Sequence, residues 1–83
     1  MANLNLEIIS LEGVVLECEC HMVVVPAIEG DMGIMYGHES IISKLKEGQI
    51  LVYDDKQNIT NQFDIIGGYA EMHGEDRISV LID

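Results

Sequence analysis

Apolar and polar residues alternate with period two along most of the chain. Leu4, Leu6 and Ile8 alternate with Asn5 and Glu7, and Val14, Leu16, Cys18 and Cys20 alternate with Val15, Glu17 and Glu19. Ile59, Phe63 and Ile65 alternate with Thr60, Gln62 and Asp64, and Ile78, Val80 and Ile82 alternate with Ser79. Successive side chains of an extended chain point to opposite faces, so this period predicts half-buried β-strands. Met22-Val23-Val24-Val25 is uniformly apolar and mostly β-branched, which predicts a strand covered on both faces. Gly13, Pro26, Gly30, Gly33, Gly37, Gly48, the run Asp54-Asp55-Lys56-Gln57-Asn58, Gly67-Gly68 and Gly74 interrupt the apolar runs. The intervals between them are mostly too short for an independent helix.

Two hairpins are legible. Residues 50–53 and 59–65 flank the polar turn 54–58, and residues 69–72 and 78–82 flank His73-Gly74-Glu75-Asp76. The stretch Ile41-Ile42-Ser43-Lys44-Leu45-Lys46 fits either a helical turn or an extended run, and its shortness before Gly48 favours the extended form. Short strands separated by turns predict an all-β fold, a two-sheet antiparallel β-sandwich or flattened barrel. The 83 residues suffice for one domain, spanning 1–83, and no repeat or linker divides them. A chain of this length hides only about 60% of the surface it exposes when unfolded, so its core is thin.

Charge narrows the function. There are 15 acidic and 4 basic residues, a formal net charge of −11. Phosphate backbones and anionic lipid surfaces both require Lys/Arg-rich patches, so neither nucleic acid nor direct membrane docking is expected. No apolar run approaches the ~20 residues of a membrane helix, and the N-terminus lacks the pattern of a secretory signal. Cys18 and Cys20 share one strand face, a spacing unsuited to a disulfide, so a reducing compartment is expected. With His21 they resemble a metal-ligand run. A zinc site needs four ligands, however, and only His38 and His73 remain to complete it, so the thiols are read as small core residues and no metal is expected. No nucleophile elbow or phosphate-cradling loop occurs, and no catalytic residue is assigned.

Lys56, in a hairpin turn behind two aspartates, offers a different class of function. Lipoyl carriers are acidic sandwiches of similar length that modify a lysine in such a turn, but a solvated turn lysine is the commoner case. Intact mass separates the two. The most informative stretch is 23–38, read as a buried strand ending at Pro26 and opening into a glycine-rich loop. That loop carries Glu29, Asp31, Tyr36 and His38, with Met32 and Met35 suited to an interface.

The sequence Glu29-Gly30-Asp31-Met32-Gly33-Ile34-Met35-Tyr36-Gly37-His38 resembles the E-G-E-L-G-I-x-P-G-H segment of the epsilon subunit of F-type ATP synthases. The similarity continues in order along the chain. The residues from Leu6 to Glu12 look like the family's opening strand, Leu45-Lys46-Glu47-Gly48 like its L-K-P-G, Gly67-Gly68-Tyr69-Ala70-Glu71-Met72 like its G-G-F-x-E-V, and Ile78-Ser79-Val80-Leu81-Ile82-Asp83 like its V-T-V-L-A-D. Tyr36, Ser40 and Glu47 stand where the family commonly has proline.

The resemblance implies a non-catalytic rotor piece, with no cofactor, that joins the gamma shaft to the ring of c subunits and couples proton flow to ATP synthesis. It places Glu29, Gly30, Asp31 and Gly33 on a loop facing the c-ring, and His38 and Ser43 on the side facing gamma. The chain stops at Asp83, where the family's sandwich ends, so the helices that inhibit hydrolysis in the family are not expected in it. The implied location is peripheral, on the cytoplasmic face of the bacterial inner membrane or its organellar equivalent.

Overall fold

A computed structural model describes residues 3–83, and those residues form nine strands with no helix. The strands are β1 (Leu4–Ser10), β2 (Gly13–Cys20), β3 (Met22–Ala27), β4 (Gly30–Met35), β5 (Ile42–Leu45), β6 (Gly48–Tyr53), β7 (Ile59–Ile65), β8 (Gly68–His73) and β9 (Arg77–Ile82). Hydrogen bonding links them in the order β2-β1-β9-β8-β5-β3-β6-β7, with β4 added beside β3. The sheet curls, so that residues from both halves meet in one core. Leu4, Leu6, Ile8, Ala70, Ile78 and Val80 come from one half; Val23, Val25, Ile34, Ile50 and Val52 come from the other. No polar or charged side chain among the described residues is buried. The core therefore carries no desolvation cost of that kind and is held by aliphatic packing.

The all-β expectation holds, as do both expected hairpins and the extended reading of 41–46, which contains β5. One pairing departs from the antiparallel pattern. β1 and β9 run parallel, from Asn5 opposite Arg77 to Ile9 opposite Leu81, which sets the first and last strands side by side. The two halves meet at a corner where Ala27 of β3 pairs with Leu45 of β5. The Ile28 N–H donates to the Lys44 carbonyl at 3.0 Å, and the Lys46 N–H to the Pro26 carbonyl at 2.9 Å. Gly48 approaches Pro26 so closely there that a Cβ would lie 2.8 Å from the proline Cβ.

Two β-bulges correct the simple alternation. A register shift between Ile8 and Ile9 pairs Ile8 with Leu16 and Ile9 with Val14. Val14 thus leaves the inward row of Leu16, Cys18 and Cys20 and is exposed on the outer face. A second shift, between Val52 and Tyr53, places Ile59 opposite Tyr53 and leaves it exposed rather than in line with Phe63 and Ile65. Met22-Val23-Val24-Val25 is fully covered on one face only: Val23 and Val25 are buried, while Met22 and Val24 are half-buried.

Two local features carry testable weight. Gly68 has φ +148°, and a Cβ there would press directly on the Leu81 carbonyl oxygen and lie 3.0 Å from Ile82 Cα. Both neighbours are backbone of the paired strand β9 and cannot rotate away. Gly68→Ala is therefore expected to cost about 3 kcal/mol or more, read as a loss of the cooperative transition in urea denaturation at constant temperature.

The turn at 54–58 is closed by Asp54, whose Oδ1 accepts the N–H groups of Lys56 and Asn58, both at 2.9 Å, while Gln57 sits at φ 67°. These bonds, that from Asn58 foremost, hold the Asp54 carboxyl below its ordinary range. A carboxyl with a depressed folded value stabilises the fold above the unfolded value of about 4, and that contribution is lost as the pH falls through the folded value. Asp54→Asn should lower the thermal midpoint near neutral pH. The gap between variant and parent should close as the pH falls below the ordinary carboxylate range and through the folded value.

Candidate functional site

A sandwich offers a partner two kinds of surface: the turns at its ends and the outward rows of its strands. The segment expected as a loop is largely a strand. β3 turns back through Ile28-Glu29 into β4, which pairs along its whole length with β3, from Ala27 opposite Gly30 to Met22 opposite Met35. Of the four residues assigned to a loop, only Glu29 lies in a turn. Gly30, Asp31 and Gly33 belong to β4. Glycines 30 and 33 read as breakers in sequence, but only Gly30 breaks the ordinary backbone, at φ +133°. Gly33 is extended, and a Cβ on it would lie 3.2 Å from Met22 Sδ, so its lack of a side chain lets Met22 lie across the outer face.

Asp31 is exposed, opposite Pro26 on that same outer face. Glu29 is exposed at the turn beside it. The two carboxylates thus mark one end of the molecule, carried on a hairpin anchored by the buried Val23, Val25 and Ile34. His38 lies beyond the other end of β4, roughly 20 Å of strand away. Its N–H donates to the Met35 carbonyl at 3.1 Å, and its Nδ1 lies 2.9 Å from the Glu39 carbonyl oxygen. Ser43 sits in the middle of β5, opposite the buried Ala70. It is half-buried and directs Oγ toward Met32 Sδ at 4.0 Å, so its hydroxyl faces β4 rather than the outer surface.

The exposed residues beside Ser43 are Ile42 and Lys44. With them the outer faces of β8 and β9 present Tyr69 and Leu81, which pair directly. Ile42, Tyr69 and Leu81 are 71%, 51% and 49% exposed, an apolar surface on a sheet whose inner face is already filled. Reading each strand as having one apolar face misses this surface. The signal was present in Val80-Leu81-Ile82 and Ile41-Ile42, where consecutive apolar residues require both faces to be apolar.

Cys20 is buried and Cys18 half-buried against the core. Burial, with the neighbouring Cys18 thiol second, pushes the Cys20 thiol up to about 11, and burial also raises Cys18. Both thiols thus act as packing groups. Lys56 is exposed at its turn tip.

The sequence profile of the family described as "ATP synthase, Delta/Epsilon chain, beta-sandwich domain" matches residues 3–83. The chain belongs to this delta/epsilon family of ATP synthase. It is 41% identical over 83 residues to the ATP synthase epsilon chain of Granulibacter bethesdensis, covering all of this chain and 60% of that protein. It is 36% identical over the same length to that of Helicobacter pylori, covering 65% of it. The chain therefore spans less than two thirds of these epsilon chains.

Among solved structures its fold is similar to a chain of the Euglena gracilis mitochondrial ATP synthase, described as OSCP/F1/c-ring. The TM-score is 0.88 at 22% identity, over 99% of this chain and 51% of that one. It is also similar to a chain of the central stalk and c-ring of the Tetrahymena thermophila enzyme, with TM-score 0.77 at 12% identity over 95% of this chain and 62% of that one. The delta/epsilon assignment removes the ground for the lipoyl-carrier alternative, and the Asp54-capped turn gives Lys56 an ordinary structural setting.

One contact ties the far end together. Tyr36 Oη donates to Glu75 Oε2 at 3.1 Å, and the Gly37 N–H donates to the Glu75 carbonyl at 2.7 Å. This joins the β4–β5 connection, which carries His38, to the β8–β9 turn. The hydrogen bond to Glu75, and then its charge, raise the Tyr36 phenol above its ordinary value. A phenol whose folded value is raised adds stability below the unfolded value of about 10, and that contribution is lost as the pH rises through the folded value. Ultraviolet titration of the three tyrosines should thus find one phenolate forming late. Glu75→Gln should bring that step to lower pH without moving the others.

Proposed function

We propose that this chain is a non-catalytic part of the ATP synthase rotor, in which its sandwich links the gamma shaft to the c-ring. Proton-driven rotation of the ring is passed through it to the shaft, and no bond chemistry is assigned to the chain itself. The observation that carries the reading is the family match across residues 3–83, joined to a fold with two separate exposed surfaces. Its location is then peripheral, on the cytoplasmic face of a bacterial inner membrane or the organellar equivalent.

The residues divide between those surfaces. Glu29, Gly30, Asp31 and Gly33 form the c-ring side, at the end of the β3–β4 hairpin. A carboxylate on a rigid hairpin accepts a charge-assisted hydrogen bond from a basic group of the ring, and such bonds are about twice as strong as neutral ones. Nothing stands where a side chain on Gly30 would be, so a partner's backbone can approach closely there, while Gly33 makes room for Met22. His38 and Ser43 belong to the gamma side. Because the Ser43 hydroxyl faces Met32, Ile42, Tyr69 and Leu81 supply the contact area there, and Ser43 acts by setting the packing beneath them. Exposed apolar area of this kind is the ordinary mark of a protein partner. A close-packed core between the two surfaces lets a load applied at one reach the other without shear.

Asp31→Arg tests the c-ring side. Because Asp31 is exposed, the thermal midpoint should stay within a few degrees of the parent. In reconstituted enzyme, attachment to the ring should weaken by roughly 10- to 100-fold, and ATP-driven proton pumping should fall relative to ATP hydrolysis. Unchanged coupling would remove Asp31 from the interface.

A further inference from the structure

The turn between β8 and β9 is held from two sides. On one, Glu75 accepts the Gly37 N–H at its carbonyl, 2.7 Å away, and the Tyr36 hydroxyl at its carboxylate, 3.1 Å away. On the other, the Asp76 carbonyl accepts the Asn5 N–H at 2.7 Å and the Asn5 side-chain amide at 3.3 Å. Two consecutive residues of one turn thus join the end of β4, in one half of the sandwich, to the start of β1, in the other. The corner ties the halves at Ala27, the last residue of β3, whereas Met35 at the end of β4 pairs with Met22, the first. The turn is therefore a second tie, at the opposite end of the molecule from the corner.

The connection it holds, residues 36–41, has little else to fix it. Ile41 packs against the core, and its carbonyl accepts the Met72 N–H at 3.0 Å. Before Ile41, Tyr36, Gly37, Glu39 and Ser40 are exposed, and the bonds of His38 run to Met35 and Glu39 in its own stretch of chain. The first anchor beyond that stretch is Glu75. A segment with few buried apolar contacts, closed by solvent-exposed hydrogen bonds, opens at a free energy well below that of the whole fold. Gly37, at φ +84°, supplies a pivot beside the anchor. The bond from the Tyr36 hydroxyl ends on a charged acceptor, which makes it the stronger kind of side-chain tie.

We propose that residues 36–41 form a strap that opens as a unit while the sandwich stays folded, and that Glu75 is the clasp that shuts it. Tyr36 and Glu75 are then positioning residues for His38. With the clasp shut, His38 is held beside the β8–β9 turn and presented to the gamma shaft; with it open, that side loses its shape. The presentation to gamma rests on the rotor reading above, whereas the strap and its clasp do not.

Amide hydrogen exchange on the full chain, parent against Tyr36→Phe, tests the strap. The amides of Gly37, His38 and Met72 should exchange about tenfold faster in the variant, while those of Val23, Val52 and Val80 in the core strands keep the parent rates. Unchanged exchange at Gly37, His38 and Met72, or acceleration shared with the core amides, would overturn the strap. In complex reconstituted with gamma, Tyr36→Phe and Glu75→Ala should each weaken attachment several-fold, with a thermal midpoint within a few degrees of the parent. Faster exchange at the strap with attachment unchanged would overturn the positioning role of Tyr36 and Glu75 and leave the strap standing. Failure of the unaltered chain to attach to gamma would overturn the rotor reading, whatever the exchange result.

Discussion

The structure depends on one constraint: a thin core must be closed by aliphatic side chains alone, from strands that each offer only a few. Leu4, Leu6 and Ile8 on β1 and Ile78 and Val80 on β9 face Val23, Val25, Ile50 and Val52 from the other half, with no buried polar group among the described residues to fix their positions by hydrogen bonding. Register therefore supplies the specificity. A slip of one residue on β1 would drive Asn5 and Glu7 into the core and expose Leu4, Leu6 and Ile8, so the acidic outer positions act as a stop as much as a solubilising coat.

That constraint explains where backbone exceptions fall. The sheet has to turn a corner between β5 and β3, and it does so where Gly48 admits Pro26 and where Gly68 admits the Leu81 carbonyl. The bulges at Ile8/Ile9 and Val52/Tyr53 sit near strand ends and move Val14 and Ile59 outward. Each bulge lets the interior stay filled while the surface receives an apolar residue that simple alternation would have placed inside. The outer-face apolar area at Val14 and Ile59 is then partly a by-product of closing the sheet.

Much of this was legible in the residues. The alternation of Leu4, Leu6 and Ile8, the polar turn at 54–58 and the glycine-marked turn near 74 fix strands and hairpins by local chemistry, and the structure places them so. The parallel pairing of β1 and β9 was not legible, because inward alternation is the same whichever way a neighbour runs. Bulges were not legible because they insert one residue without a required side chain. The 29–38 segment was misread as a loop for a definite reason: glycine signals both positive φ and close approach, and Gly33 serves the second role within a strand. At the candidate site, the direction of Ser43 was hidden, since a four-residue strand has too few positions to reveal which side is inward.

The placement of charge and apolar area bears on how such a domain would carry load. The β3–β4 hairpin ends in exposed carboxylates, yet its strands are sealed to the core by Val23, Val25 and Ile34. A force on Asp31 thus acts on a paired strand backed by packed side chains, where displacement would break ladder hydrogen bonds in concert, and not on a flexible loop that yields residue by residue. At the other end, the bonds from Tyr36 and Gly37 to Glu75 tie the His38 connection to the β8–β9 turn, so that segment too is braced against a second element. Bracing at both ends of a core without polar weak points is what the proposed role between shaft and ring would require. It also means that stiffness here rests on the aliphatic interior, and substitutions there should uncouple the two surfaces before they abolish either.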